Sequence, residues 1–460
     1  MKTRTRRSAG EPALALVLVL ASVLILLVVV GLLAASPAHA ETFTVNSTQD
    51  FSDVDTTDGV CDTIDVDLLN PCTLRGAIHQ ANALAGMDTI HFAITGVGVR
   101  TIEPKSQLPV VTQRVTIDGY TQPGAAENTL AQGNNAVLRI ELDGSNAPAA
   151  FLPDGLLISA SDSVLKGLVI NRFASEGVQL SGSNNRVEGN FIGTDSSGLG
   201  TNVGPDDPGN RLSGVIIAQG TSGNIVGGTT PEKRNIISAN SGAGVRISAS
   251  SSSNKVQGNS IGRTRDGGLR GNGRSGIVIS GADDNLVGGT VPGASNDIAD
   301  NGGGLSGGNG VTVSGAGSNG NRILRNSIYS NEDLGIDLGS AAFGDGVTPN
   351  DPKDPDTGAN ALQNFPVLTS VAHSRGQTTI KGKLNSKPDK TFTIQFFSNP
   401  SGNEGKKYLG AKSNVTTNAN GNVSFEFRPA QSVPAGQTVA ATATDSGGST
   451  SELSAPRSVT

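Results

Sequence analysis

Asp351, Asp354, Asp356 and Asn360 crowd oxygen donors around Gly358. Carboxylates and a side-chain carbonyl at alternate positions about a glycine turn suit a hard cation, Ca²⁺ in particular. The stretch lacks the complete EF-hand spacing and the closing Glu. Its prolines fit a stiff, solvated linker equally well, and that is the preferred reading, with Ca²⁺ as the alternative. Asp53, Asp55, Asp58 and Asp62 form a second acidic group around Cys61, read as a solvated loop ahead of a metal site.

Carbohydrate hydrolysis needs carboxylates facing one another across a glycosidic bond. The available acids are Asp195, Asp206, Asp207, Asp283, Asp284, Asp297 and Asp300. All of them read as turn or insertion residues, and no pair recurs at strand-centre spacing. An eliminating enzyme would want a Lys or Arg base. Lys166 with Arg172, and Arg246 with Lys255, are the candidate pairs, although isolated basic residues of this kind ordinarily form a solvated face. The four His (His39, His79, His91 and His373) all lie outside the repeats described below. Tyr329 and Phe191 are the aromatics near those repeats. No nucleophile elbow or phosphate-binding loop is present, so no catalytic residue is assigned.

The scaffold is written in a recurring phrase: Gly, an alternating apolar pair, a gap, Asn-x-apolar, then Asn-x-Ile. Copies begin at Gly177, Gly214, Gly244, Gly276 and Gly310, spaced by 37, 30, 32 and 34 residues, with a degenerate copy at Gly155. Repeats of this length with three short β-type segments indicate a solenoid of strands. Such strands bury an apolar face only by stacking on their equivalents in the next turn. Val178/Leu180, Val215/Ile217, Val245/Ile247, Ile277/Ile279 and Val311/Val313 then point inward. Gln179, Arg246, Val278 and Thr312 point out by the two-residue period. The crossover rule makes the coil right-handed. Asn190, Asn224, Asn235, Asn259, Asn285 and Asn326 occupy the turns, where Asn tolerates left-handed backbone and its amide can bond to the Asn of the next turn. The composition fits a narrow aliphatic interior, with 62 Gly, no Trp and 3% aromatic residues.

At the N-terminus, Lys2, Arg4, Arg6 and Arg7 precede an apolar run from Ala13 to Ala35, and Pro37-Ala-His-Ala40 gives a small-x-small cleavage pattern. This reads as an export signal, with the mature chain starting at Glu41. The run is also long enough to remain as an uncleaved membrane anchor. Either reading places the rest outside the cytoplasm, secreted or at the cell surface. Removing residues 1–40 takes away four basic residues and one acidic one, moving the net charge from −6 to −9. A nucleic-acid partner is thereby disfavoured. Cys61 and Cys72, a close pair in an exported chain, read as a disulfide. Leu74, Ala77, Ile78, Ala81 and Leu84 share one helical face after a Thr73 N-cap. A helix there would cover the open end of the solenoid.

Cys72-Thr-Leu-Arg75-Gly-Ala77, followed by Ile78 and Ala81-Asn82, resembles the CSLREA motif, which precedes right-handed β-helix repeats in many bacterial surface and secreted proteins. Thr73 stands for the family's Ser. Gly76 stands for its Glu, which weakens the helix and leaves no carboxylate there for a salt bridge. Val115-Thr-Ile-Asp-Gly119, Asn190-Phe-Ile-Gly-Thr-Asp195 and Leu334-Gly-Ile-Asp-Leu338 are similar to phrases of the same family. The resemblance implies an architecture and no particular activity.

Beyond Gly339 the repeat stops. Seven alternating segments follow between Val367 and Val459, with turn signals at Asn420-Gly421 and Gly447-Gly448. They predict an antiparallel sandwich with Phe392, Phe396 and Phe425 in its core, similar to the immunoglobulin-like or fibronectin-like modules that end many exported bacterial proteins. The chain thus divides into an export segment (1–40), a cap with first strands (41–110), an all-β right-handed parallel β-helix (111–345), an Asp/Pro-rich linker (346–364) and a β-sandwich (365–460). The functional expectation is a non-catalytic surface protein of adhesion or cell-envelope type, whose partner is a cell-surface glycan or protein. The insertion Gly193–Asn210 is its candidate contact. The alternative, by fold analogy alone, is a polysaccharide lyase or hydrolase of the pectin-lyase-like type. An enzyme gathers acidic and basic side chains in one lateral groove. A display rod spreads Ser, Thr, Asn and Gly evenly.

Overall fold

A computed structural model describes residues 1–3, 40–63, 71–200, 209–303, 307–339 and 345–460. The apolar run 13–35 lies outside the described residues, as do Asp206, Asp207 and much of the insertion Gly193–Asn210. Among the described residues, no helix is long and apolar enough to cross a membrane.

Among the described residues, the repeats coil into a right-handed parallel β-helix of three sheets: A with nine strands, B with eight and C with seven. Each strand is too short to be stable alone, and each turn supplies the edge on which the next one pairs. In sheet C, Leu156, Val178, Val215, Val245, Ile277, Val311 and Ile336 stand in register. Ile158, Leu180, Ile217, Ile247, Ile279, Val313 and Leu338 form a second such row, and both rows are buried. With the inward rows of sheets A and B they form one continuous aliphatic core.

The outward row of sheet C departs from expectation at one end. Gln179 is half-buried and Arg246 exposed, but Val278 and Thr312 are buried. A polar seam accounts for Thr312. Its Oγ1 bonds Ser275 Oγ (2.9 Å) and accepts from Asn309 Nδ2 (3.1 Å), which also donates to Asp337 Oδ2 (3.0 Å). The chain after Gly339 returns over this end, where Thr348 Oγ1 donates to Leu338 O (2.8 Å).

Buried Asn side chains run in columns along the three turns. One passes through Asn185, Asn224, Asn254, Asn285, Asn321 and Asn360. A second passes through Asn190, Asn235, Asn259, Asn296 and Asn326. A third, absent from the sequence reading, joins Asn210, Asn240, Asn272, Asn301 and Asn331. Each side-chain oxygen accepts from the turn before. The amide nitrogens donate back to that turn's carbonyls, as from Asn185, Asn321 and Asn326, or onward to the next Asn, as from Asn190, so the buried turn backbone is satisfied without water.

The N-terminal end is closed by helix α1 (Leu74–Ala83), where Thr73 Oγ1 accepts from Gly76 N (3.0 Å). Leu74, Ala77, Ile78 and Ala81 pack into the core beside Phe43, Val45 and Ile90. The Cys61–Cys72 disulfide ties the preceding loop to the helix start. Without a Glu at 76, Arg75 carries the anchoring charge. Its Nε and Nη2 grip Asp50 (2.8 and 2.9 Å), while Nη1 and Nη2 reach Gln107 O and Ser106 O (2.9 and 3.1 Å). The Asp50 side chain is 4% exposed. Arg75→Ala should therefore cost about 3–5 kcal/mol in chemical denaturation, because it strands a buried carboxylate. Arg75→Lys should recover only part, since an ammonium cannot form the two-pronged contact. A loss below about 1 kcal/mol in the Ala variant would refute this account.

The opposite end is closed by the sandwich, whose sheets comprise Val367–Ser374, Gln377–Asn385 and Asn422–Phe427, and Thr391–Asn399, Lys407–Thr416, Thr438–Asp445 and Arg457–Ser458. Phe392, Phe396 and Phe425 lie in its core. The last strand is short, Arg457–Ser458 alone. The reason is that Ser449–Glu452 folds onto the end of the β-helix. There Ser449 Oγ, Thr450 Oγ1 and Glu452 Oε1 accept from Gly320 N, Ile323 N and Leu338 N (3.2, 3.1 and 3.1 Å). Gln395 and Glu404 do the same for Arg325 N and Asn331 N (3.1 and 3.3 Å). These bonds satisfy strand-edge and turn groups that the last turn would otherwise leave unpaired.

Three buried acids gain proton affinity, Asp337 and Glu452 at this end and Glu176 on an earlier turn beside Ser213. Burial pushes Glu176 up to about 7 and Glu452 up to about 7. Burial, with Asp345 nearby, pushes Asp337 up to about 6. Each holds its proton more tightly folded than unfolded, so stability falls as pH rises from the unfolded values through these folded ones. The loss reaches up to about 3 kcal/mol for each group. The melting temperature should be several degrees higher at about pH 5 than at about pH 8, and Glu176→Gln with Glu452→Gln should flatten that slope. A melting temperature rising toward alkaline pH would contradict it.

Candidate functional site

Sheet B presents an outward row of Glu141, Val169, Phe191, Ile236, Ser260, Asp297 and Ser327. The row changes from apolar to polar at Ser260, and the cover over it ends there too. Val169, Phe191 and Ile236 form a small buried cluster with Ala136 and Leu138, which arrive from a loop earlier in the sequence. Arg234 clamps that loop by donating to Leu130 O, Gly133 O and Ala131 O (3.0, 2.7 and 2.8 Å). Beyond the clamp the sheet lies open, and Ser260, Asp297 and Ser327 floor a groove of about 810 Å³.

The Ala131–Gly133 tip forms one wall, and Arg263, Thr264, Asp266 and Gly267 another. The sandwich supplies the far end. Ile328 and Gly405 pair antiparallel (3.1 and 2.9 Å), and this pairing delivers Lys406, Lys407 and Tyr408 to the groove. Five cations, Arg234, Arg263, Arg325, Lys406 and Lys407, thus face two carboxylates, Asp266 and Asp297. Lys406 and Arg263 stack on Tyr329 (4.2 and 5.4 Å to the ring centroid), and Arg325 stacks on Tyr408 (5.0 Å). The rings hold the cations in place by cation–π attraction.

Asp297 sits at the centre. Its Oδ2 lies 3.5 Å from Arg263 Nε, and its Oδ1 is buried without a hydrogen-bond partner, as is Arg325 Nε. Burial pushes the Asp297 carboxyl up, against the pull of Arg263, Lys406 and Arg234. Asp266, at the exposed rim, is instead held below the usual carboxylate range by donation from Thr264 Oγ1 and Gly268 N. Such a surface can hold an extended anion, with carboxylates or sulfates meeting the cations and hydroxyls meeting Ser260 and Ser327.

The groove corrects the sequence reading at Asp297, which belongs to strand Asp297–Ala299 and is not a turn residue. Asp195, Asp283 and Asp300 do serve turns, accepting from Ser197 N, Asn319 N and Gly271 N (2.9, 3.0 and 3.1 Å). The candidate bases do not converge. Lys166 is paired with Asp118 and Arg172 with Asp143 (2.9 and 2.8 Å). Arg246 lies on sheet C and Lys255 on sheet A. Phe191 is fully buried and offers no ring to a sugar. In the described part of the insertion, Gly198 O accepts from Arg265 N (3.0 Å).

The acidic segment is only partly solvated: Pro352, Lys353 and Pro355 are exposed. Asp354 and Asn360 are fully buried, and Gln363 and Asn364 nearly so. Asn360 is also withdrawn from the proposed ligand set. Its Oδ1 accepts from Asn321 N (3.0 Å), and its Nδ2 donates to Asn321 O and Thr450 O (2.8 and 2.9 Å), which makes it the final member of an Asn column. In the second acidic group, Asp53, Asp55 and Asp58 accept from the backbone two residues on (2.9, 2.9 and 2.8 Å), the ordinary work of Asx turns.

No family model matches the chain, and no curated protein matches it. Among solved structures it is similar to pectate lyase Pel9A (12% identity, TM-score 0.30, covering 68% of this chain and 80% of that one). It is similar also to tailspike protein 2 of Escherichia coli O157:H7 bacteriophage CAB120 (13%, 0.25, 78% and 56%). A third is the A-module of the Azotobacter vinelandii mannuronan C-5 epimerase AlgE4 (14%, 0.25, 57% and 75%). At these identities and scores, the likeness adds nothing to the chemistry of this chain.

Proposed function

We propose that this chain is an exported surface or extracellular protein that binds an acidic polysaccharide in the groove on sheet B. One observation carries the reading: five cations line the groove that holds Asp297, and three of them, Arg263, Lys406 and Arg234, act on its carboxyl, on a chain whose net charge is −6. An even spread of Ser, Thr, Asn and Gly, the mark of a pure display rod, does not describe this face. The groove's size suits a few sugar units, and its cations suit uronate or sulfate groups. The Cys61–Cys72 disulfide and the N-terminal export pattern support a location outside the cytoplasm.

The test is binding of the chain from Glu41 onward to polyuronate, sulfated and neutral glycans at low and high salt. Retention of the acidic glycans, lost as salt screens the cations, is the expected result. Equal binding to neutral glycans, or none to any, would sink the proposal. The enzymatic alternative is favoured by one feature, the raised Asp297 carboxyl beside Arg263. New reducing ends or unsaturated products in the same samples would establish it.

A further inference from the structure

Three carboxylates meet where the β-helix joins the sandwich. One oxygen from each of Asp351, Asp354 and Asp356 lies within 4.8 Å of the other two. Among the described residues, no other three His, Cys, Asp or Glu side chains meet in this way. Crowded acids alone are common, but a second observation bears on the same place. Asp354 is fully buried, and its Oδ1 has no hydrogen-bond partner. Its Oδ2 is already engaged by Ser386 Oγ and Gln363 Nε2. Oδ1 of Asp351 and Oδ1 of Asp356 are likewise shut off from solvent and unpartnered. Buried carboxylate oxygens without donors are costly, and neighbouring ones repel each other. Lys387 offsets only part of the charge on Asp354 and Asp356.

We propose that Asp351, Asp354 and Asp356 bind a Ca²⁺-type ion that fixes the sandwich to the end of the β-helix. The donor set is all oxygen, which selects a hard cation. Calcium accepts irregular sets of carboxylates and carbonyls, whereas magnesium demands a near-ideal octahedron and keeps its waters. The loop is tied to both modules. Asn385 Oδ1 accepts from Lys353 N (2.8 Å), and Ser386 reaches Asp354, so the sandwich holds one side. Asn360, four residues beyond Asp356, joins the Asn column of the β-helix. An ion here neutralises the acids and locks the segment that spans the joint. The inference stands apart from the groove and holds whether or not a glycan binds there.

The test uses the whole exported chain, stripped with chelator and then titrated with CaCl₂ or MgCl₂ to millimolar levels. Ca²⁺ uptake of one ion per chain by calorimetry, with a melting temperature raised by several degrees, is the expected result. Asp356→Asn keeps the shape of a half-buried residue and removes its charge. It should weaken Ca²⁺ binding at least about tenfold while melting no lower than the wild type in chelator. Asp351→Asn should behave alike, which guards against misfolding of one variant. Absence of uptake and of any melting shift overturns the proposal, as does unchanged binding in both variants. Stabilisation by Mg²⁺ equal to that by Ca²⁺ overturns the assignment to a calcium-type ion.

Discussion

Lys406→Glu with Lys407→Glu should lower affinity for acidic polysaccharide by about 100-fold at low salt, close to 2.7 kcal/mol. Both lysines are exposed and stand at the sandwich end of the groove. Reversing both leaves Arg234, Arg263 and Arg325 facing four carboxylates, so the local charge changes sign. Fold stability should hold, because neither side chain is buried and Lys406 contributes a stack on Tyr329 and an attraction to Asp297 from the exposed surface. Lys406→Gln with Lys407→Gln should fall between wild type and reversal. High salt should draw the three proteins together, since screening removes the interaction that separates them. Surface plasmon resonance against an immobilised polyuronate reads all of this. An unchanged affinity in the double reversal would show that the groove is not the binding face.

Asn259→Ala should destabilise the β-helix by on the order of 3–5 kcal/mol, read from urea denaturation. Asn259 sits in the middle of its column and is nearly fully buried. Its Nδ2 donates to Val226 O, Gln257 O and Asn296 Oδ1 (2.9, 3.1 and 3.1 Å), and its Oδ1 accepts from Asn235 Nδ2 (2.9 Å). Alanine removes all four at once and leaves the partners short of bonds where water has little access. Asn259→Asp should be no better, because it replaces the donor with a buried charge. A cost below about 1 kcal/mol would mean that the turns hold their shape through backbone pairing alone.

How far each feature was legible follows from how local its cause is. Val178, Val215, Val245, Ile277 and Val311 recur at nearly constant spacing because every turn of the coil solves the same packing problem. One sequence therefore displays the register directly. The turn Asn residues follow the same period, the third column of Asn210, Asn240, Asn272, Asn301 and Asn331 included. The period says nothing about the burial of Val278 and Thr312; for Thr312 it comes from a polar seam with Ser275, Asn309 and Asp337, which lie on its own and neighbouring turns. Asn360 misled for the same reason. Its neighbours in sequence are acids, while its neighbour in space is Asn321, one turn below.

The groove was hidden for a different reason. Arg234, Arg263 and Asp297 lie on successive turns, Ala131–Gly133 comes from a loop far earlier in the chain, and Lys406–Tyr408 comes from another module. Each looks like an ordinary solvated residue in its own stretch. By itself the sequence determined the coil, its aliphatic interior, the N-terminal helix cap and the sandwich, because those depend on patterns of two residues or of one turn. Where charge gathers and how the far end is sealed show only in the folded chain. Both depend on contacts between segments that share no period, brought together by burial and by the need to satisfy open strand edges.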